Sequence, residues 1–338
     1  MYGLSAQIVA TVKDPRRKPR IPVSVLLKAG LVMFWSRLGS LNALEEHRRS
    51  RFWKQWLGRS PAGADTMGRV YAGLAPNDLR QGLHHLYSRL KRNKALPGIG
   101  GLEAAVLDGH ETHASYRRHC SGCLERTIHT ERGDAIQYYH RNVTLQLLTD
   151  SELRILFDLE PQRPGEDEVT TARRLLARVL ADYPRAFGLL LADGLYAQAP
   201  FVNLLLAHGK HALVVLKDER RDLYQDACAL FTMTPAQEGK YRSRRCRWWD
   251  VLDLTTWPQV NAPVRVIRSQ ETYRVKRQAT QKVESMTTEW IWATTLPTTQ
   301  ASTEQAVRLG HRRWDIENYG FNELANEWHS DHVYKHDA

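Results

Sequence analysis

The sequence predicts an α/β protein: a mixed sheet with flanking helices, a helical domain before it and a β-rich insertion late in the chain. Three observations carry that prediction. Short apolar runs at 104–108, 189–193 and 212–216 are bounded by turn residues, as expected of strands buried on both faces. Stretches with helical apolar spacing, 171–180 and 199–208, lie between them. From about Lys217 the pattern becomes alternating and turn-punctuated, as in antiparallel β structure.

Taken in order, residues 1–100 read as mostly helical. Apolar residues recur at helical spacing over 23–44 and 78–90, and Pro22 suits a helix start. The turn at 60–66 precedes a further helix over 67–74. Basic and aromatic residues interleave in Arg48-Arg49-Ser50-Arg51-Phe52-Trp53-Lys54-Gln55-Trp56. Arg48, Arg49, Arg51 and Lys54 can grip phosphates while the rings pack inward or against bases; the equal alternative is an amphipathic surface helix whose tryptophans are core. Leu96-Pro97-Gly98-Ile99-Gly100-Gly101 is the expected linker.

Beyond it, strands are expected at 104–108, 136–148 and 153–159, a polar loop at 161–168, a helix at 171–180, a strand at 189–193, a helix at 199–208 and a strand at 212–216. Three strands, helix, strand, helix, strand is the order of a ribonuclease-H-like core. The insertion carries Trp248, Trp249 and Trp257, strands near 264–267, 271–275 and 290–294, and a basic run that includes Arg244, Arg245 and Arg247. Residues 304–328 read as a helix. The domain plan is thus 1–100 helical and basic, 101–216 with 297–338 ribonuclease-H-like, and 217–296 the β-rich insertion.

A chain of 338 residues and 38.9 kDa is long enough for two or three domains. Its formal charge is +11 and its pI about 9.6. Residues 1–100 hold 18 Lys/Arg against 5 Asp/Glu, a net of +13 that leaves the remainder slightly negative. A charge asymmetry of this kind points to a polyanionic partner at one end. No apolar stretch reaches the roughly 18 residues of a membrane span, and no signal peptide is recognisable, so no membrane partner and a cytoplasmic location are expected. Four cysteines are too few for a disulfide framework. Cys120-x-x-Cys123, with His113, His119 or His129 near, has the spacing of half a zinc site. No second closely spaced ligand pair accompanies it, so it reads as a plain reduced turn.

Three acidic residues stand out. Asp108 closes Ala104-Ala105-Val106-Leu107, Asp193 closes Leu189-Leu190-Leu191-Ala192, and Glu317 lies in Arg313-Trp314-Asp315-Ile316-Glu317-Asn318 within the last helix. Carboxylates held at strand tips and on a helix can supply the hard oxygen ligands of paired Mg²⁺ ions, although a strand-end Asp also serves as a turn former or helix cap.

The surrounding motifs carry a resemblance. They are Leu107-Asp108-Gly109-His110-Glu111, Gln137-Tyr138-Tyr139-His140-Arg141, Arg163-Pro164-Gly165-Glu166-Asp167-Glu168, Ala192-Asp193-Gly194-Leu195-Tyr196, and Arg313 to Asn318 with Gly320-Phe321-Asn322. Together they resemble bacterial insertion-sequence DDE transposases of the subgroup with a Tyr-Arg-Glu-Lys signature, over nearly the whole chain. The resemblance implies that Asp108, Asp193 and Glu317 are catalytic and bind two Mg²⁺ ions, with Mn²⁺ able to substitute. It implies cleavage at transposon ends and strand transfer into target DNA. The partners it implies are double-stranded DNA (terminal inverted repeats and target) and a second copy of the chain when assembled on DNA, in a nucleoid-associated cytoplasmic setting. Arg313 matches the signature Arg, one helical turn before Glu317 and on the same face, where it can hold a phosphate. The signature Tyr falls at Gly310 and the signature Lys at Leu324, followed by Ala325; His311 and Arg312 are the neighbours able to take over phosphate contacts. Relatives that flip a base stack it on a Trp of the insertion, which makes Trp248 and Trp249 candidates, with a core aromatic as the favoured alternative. His110 and Glu111 either support the metal site or pack structurally. Relatives also continue helically past the point where this chain stops, so a shortened copy is expected, with a catalytically silent end-binding remnant or a two-metal nuclease as the other readings.

Overall fold

The computed structural model describes residues 4–131, 133–151, 153–278 and 281–331. Six helices open the chain: α1 (Leu4–Thr11), α2 (Val23–Trp35), α3 (Leu41–Glu46), α4 (Arg51–Leu57), α5 (Ala64–Ala72) and α6 (Pro76–Arg92). The helix expected over 23–44 is two helices. Arg37 takes a positive φ of 53° after α2, and the Ser40 hydroxyl then accepts the Ala43 N–H to start α3. Leu26, Met33, Leu44, Trp53, Met67 and Val70 form a core of their own among these helices. The sixth helix leaves that core. Its Tyr87 packs edge-on against Phe157 and Tyr183, and its Arg80 donates to Asp158, so α6 is fastened to the sheet behind it.

The sheet comprises β1 (Ala104–Ser115), β2 (Leu124–Thr130), β3 (Gly133–Leu148), β4 (Ile155–Pro161), β5 (Leu189–Ala192), β6 (His211–Val215), β7 (Gln237–Tyr241), β8 (Arg244–Leu254), β9 (Val264–Lys276) and β10 (Val283–Thr294). Its order is β2-β3-β1-β5-β6-β10-β9-β8-β7, with β4 also on β3. Strands β1, β5 and β6 run parallel, and β3 and β4 antiparallel to their neighbours. The segment β4-β3-β1-β5-β6 is the mixed sheet of a ribonuclease-H-like fold, as expected.

Alternation along the strands sorts the core onto two faces. Ala105 and Leu107 face α7 (Glu168–Asp182) and α8 (Ala199–Ala207), through Leu175, Leu176, Phe201 and Leu205. Ala104 and Val106 face α10 (Thr303–Arg312) through Ala306, Val307 and Leu309. Helix α9 (Asp222–Phe231) leads into the insertion.

Three features differ from expectation. The first strand does not end at Asp108 but continues to Ser115 and pairs with β3 throughout, and the hairpin arm β2 was not anticipated as a strand. One face is exposed and the other carries Leu124, Arg126 and Ile128, of which only Leu124 is buried, so no continuous apolar stripe announces it. The insertion continues the sheet, because β10 pairs with β6 through Trp292↔Val215. Finally, the helix expected over 304–328 is interrupted: α10 is followed by a π-helical turn, Ile316–Phe321, and then by α11 (Asn322–Trp328). Residues 332–338, on which the expectation of a shortened copy bears, lie outside the described residues.

Candidate active site

The parallel register sets the site. Val106 of β1 lies opposite Leu191 of β5, so two residues further on Asp108 and Asp193 stand abreast where β5 has ended. Asp108 accepts the Gly109 N–H at 2.9 Å. Asp193 accepts the Leu195 N–H at 2.8 Å, capping a 3₁₀ turn over Gly194–Tyr196. Glu317 is delivered from the other direction by the π-helical turn, a geometry often found where function requires a locally re-aimed helix.

One cation sits among these acids. Arg313 Nη1 donates to Glu317 Oε1 at 2.9 Å and to Asp108 Oδ2 at 3.3 Å. The arginine is 5% exposed, and its guanidinium lies 4.0 Å from the Trp314 ring centre. It does not neutralise the site. Burial pushes the Asp108 carboxyl up to about 7; Arg313 opposes this, while Glu317 and Asp193 add to it. The three acids are spread more widely than one shared ion requires, since among the described residues only Cys120, Cys123 and His140 have ligand atoms all within 4.8 Å of one another. That cluster also alters the reading of Cys120-x-x-Cys123. The histidine brought onto the two thiols is His140, not His113, His119 or His129.

Further charged residues lie behind these acids, of which the sequence offered a role only for Glu111. Glu168, the first residue of α7, accepts the Tyr196 hydroxyl at 2.7 Å and Arg141 at 3.2 Å. It lies so close to Gly109 that a Cβ there would fall 2.3 Å from its carboxylate oxygen. Arg141 also donates to Glu111, which is held by Arg126 as well. Burial alone would raise the Glu111 carboxyl, but the two arginines hold it below its ordinary value. The Tyr196 hydroxyl is pushed well above the ordinary tyrosine range, first by burial and then by Glu168. His110 stacks on Phe321, ring centres 4.4 Å apart. The available signal for Glu168 was its place at a helix N-terminus behind the capping residue Asp167.

The sequence profile described as Transposase DDE domain matches residues 106–337. The chain belongs to that DDE transposase family. No curated protein matches the sequence. A cryo-EM structure of a piggyBac transposase synaptic complex with hairpin DNA aligns over 96% of this chain at 9% identity, with a TM-score of 0.43; the chain spans 64% of the length of that chain.

For a DDE transposase, the residues expected at DNA fall into two groups. Arg48, Arg49, Arg51 and Lys54 are exposed on and before α4, Arg48 being paired with Glu45. Beside them Phe52 and Trp56, each 45% exposed, stack in parallel, while Trp53 is buried and donates to the His47 carbonyl. In the insertion Arg245 and Arg247 are exposed, and Arg244 is committed to the buried Glu271. Trp248 and Trp249 are 4% and 9% exposed and belong to the two faces of the core, with Arg247 and Arg268 laid over Trp249. Neither offers a ring to a flipped base, which corrects their candidacy on grounds of packing.

The neighbours expected to replace the missing signature residues are also occupied. His311 is buried against Glu271 and stacked on Tyr241, and Arg312 is held by Asp315 and the Thr149 carbonyl. At Gly310 a Cβ would fall 2.5 Å from the Trp292 indole, so the volume of a larger side chain is already filled. Leu324 packs against the core.

Proposed function

We propose that this chain is a metal-dependent DNA transposase in which Asp108, Asp193 and Glu317 are the catalytic carboxylates. The observation that carries this reading is their convergence from β1, the end of β5 and the π-helical turn, with the Asp108 carboxyl pushed up to about 7. A carboxyl buried beside two other acids, with one arginine as counter-charge, favours a cation in place of its proton. All-oxygen donors suit Mg²⁺, with Mn²⁺ able to substitute, and the spread of the three groups suits two ions better than one. When bound, such ions activate a water or hydroxyl and stabilise the leaving oxygen of an in-line phosphoryl displacement.

The chain's own residues do the rest. The β1–β5 register holds Asp108 and Asp193 abreast on a rigid edge. Arg313 donates to both Asp108 and Glu317, which places its guanidinium beside the acids where a DNA phosphate would be held. Glu168, clamped by Tyr196 and Arg141, walls the strand behind Asp108 at Gly109. The exposed Arg49, Arg51 and Lys54, with Arg245 and Arg247, supply phosphate contacts to terminal inverted repeats and target DNA. We assign the protein to the cytoplasm at the nucleoid, acting as a homodimer on DNA; among the described residues no helix is long and apolar enough to cross a membrane.

The test is purified protein with labelled terminal inverted repeats, Mg²⁺ or Mn²⁺ and a target plasmid. Nicking followed by joining supports transposition; nicking alone reduces the reading to a nuclease, and binding without cleavage to an end-binding remnant. If Asp193→Ala cuts as well as the parent, the site assignment is wrong.

A further inference from the structure

We propose that Cys120, Cys123 and His140 form a structural Zn²⁺ site that clamps the β1–β2 connection onto β3, with His113 rotating in as the fourth ligand. The sulfurs of Cys120 and Cys123 lie 3.8 Å apart, and His140 Nε2 is 3.4 Å from one and 3.3 Å from the other. Tetrahedral zinc with Zn–S about 2.3 Å and Zn–N about 2.0–2.1 Å has edges of about 3.8 Å between sulfurs and about 3.5 Å between sulfur and nitrogen. The three observed separations reproduce one face of that tetrahedron.

Thiol–imidazole hydrogen bonding does not explain the triangle as well. A neutral imidazole nitrogen has one in-plane lone pair and can accept strongly from one thiol, yet both sulfurs approach the same Nε2 almost equally. The main chain also prepares for thiolate. The Cys123 N–H donates to the Cys120 carbonyl, closing the knuckle, while the Cys120 N–H donates to Cys123 Sγ at 3.2 Å. Such donors to sulfur are the outer-shell contacts expected of a ligating thiolate.

The candidate for the fourth position is His113, whose ring nitrogens lie outside the 4.8 Å span of the other three ligand atoms and must turn inward to join them. The β1–β3 ladder shifts register between Glu111 and His113, which sets His113 directly opposite His140, with ring centres 4.9 Å apart. Thr112 Oγ1 lies 3.2 Å from His113 Nδ1, so Nε2 is the atom that a rotation of the ring would bring toward the ion. Two thiolates balance the ion's charge, the two thiol protons passing to solvent on binding. Soft sulfur with imidazole selects zinc over the magnesium suited to the acidic site. A cleft of about 770 Å³ lined in part by Cys120, Cys123 and Glu166 gives the ion a path in. The clamp would fix the connection between β1 and β2 only a few residues beyond Asp108 on the same strand.

The test is elemental analysis of the full chain purified without chelator. About one zinc per chain is expected, falling at least tenfold in Cys120→Ser, Cys123→Ser and His140→Ala, and retained in Cys228→Ser, His129→Ala and Asp108→Ala. Retention in Asp108→Ala separates this ion from any at the acidic site. Cobalt loading of the chelator-stripped parent should give a thiolate-to-cobalt charge-transfer band, a readout that needs no variant to fold. His113→Ala should weaken zinc retention against a competing chelator by about 10-fold or more; unchanged retention overturns the fourth ligand. A zinc-free parent without a cobalt band, or a Cys120–Cys123 disulfide found by peptide mapping of the freshly purified chain, overturns the site.

Discussion

Asp108 is the residue where fold and chemistry oppose each other. The fold buries it beside Asp193 and Glu317 and so favours its protonated form, whereas cation binding requires the carboxylate. A carboxyl raised from an ordinary 3.8 to about 7 stabilises the fold fully below about pH 4, and that contribution is lost as pH rises through 7. In chelator, therefore, thermal stability from this group is expected to fall between about pH 4 and 7, by on the order of 2–4 kcal/mol. Asp108→Asn keeps the shape and removes the titration. Its melting temperature in chelator should be flatter across that window, with DNA cleavage abolished, and Mg²⁺ should raise the parent's melting temperature most above pH 7. A parent and variant with parallel pH profiles would defeat the argument. In the sequence Asp108 and Asp193 each close an apolar run, but it was the surrounding motifs, not spacing, that singled out the three acids together. Arg141 and Glu168 stand in those motifs without a role, because what they touch arises from the long-range approach of α7 to β1 and β3.

At the level of elements, the junction between α10 and β10 explains a residue that looked like a defect. Gly310 is buried against Trp292, itself among the largest fully buried side chains, and the ring leaves no room for a Cβ. The chain has filled from the strand a volume that a helix side chain would otherwise occupy. Gly310→Ala would gain about 1 kcal/mol of helix propensity but must displace a rigid indole, and overpacking of that kind costs about 1–3 kcal/mol. Net destabilisation of up to about 2 kcal/mol is expected in chemical denaturation. Gly310→Tyr should fail to fold rather than improve cleavage; a stable, more active Gly310→Tyr would show that the packing is not as tight as the contact implies. Only the helical period of 304–328 could be read from the sequence. The π-helical turn could not, since it depends on how residues 316–321 fit the sheet: Gly320, for example, brings the backbone against Gln146 Oε1, where a Cβ would fall 2.5 Å away.

Across the whole molecule, charge and packing divide the chain at different points. The charge boundary lies near residue 100, with a net of +13 before it. The packing boundary lies earlier, because Tyr87 of α6 belongs to the core beneath the sheet and Arg80 is bonded to Asp158 of β4. The two boundaries predict separable losses. Arg51→Ala with Lys54→Ala removes two exposed phosphate contacts from α4, so affinity should fall about equally for all DNA sequences, with the slope of log K against log salt shallower by about 2 and stability unchanged. Truncation probes the other boundary. A chain beginning at residue 76 retains α6 and should unfold in one cooperative transition near that of the parent's sheet, whereas one beginning at residue 101 loses the Tyr87 contact with Phe157 and Tyr183. Removing a buried aromatic of this size costs about 3–5 kcal/mol, so the shorter chain should melt markedly lower or populate partly unfolded states. Equal melting of the two would mean that α6 belongs with the helices before it. Because β7 to β10 extend the same sheet through the pairing of β10 with β6, the insertion should melt with the catalytic strands in both chains rather than as a separate transition.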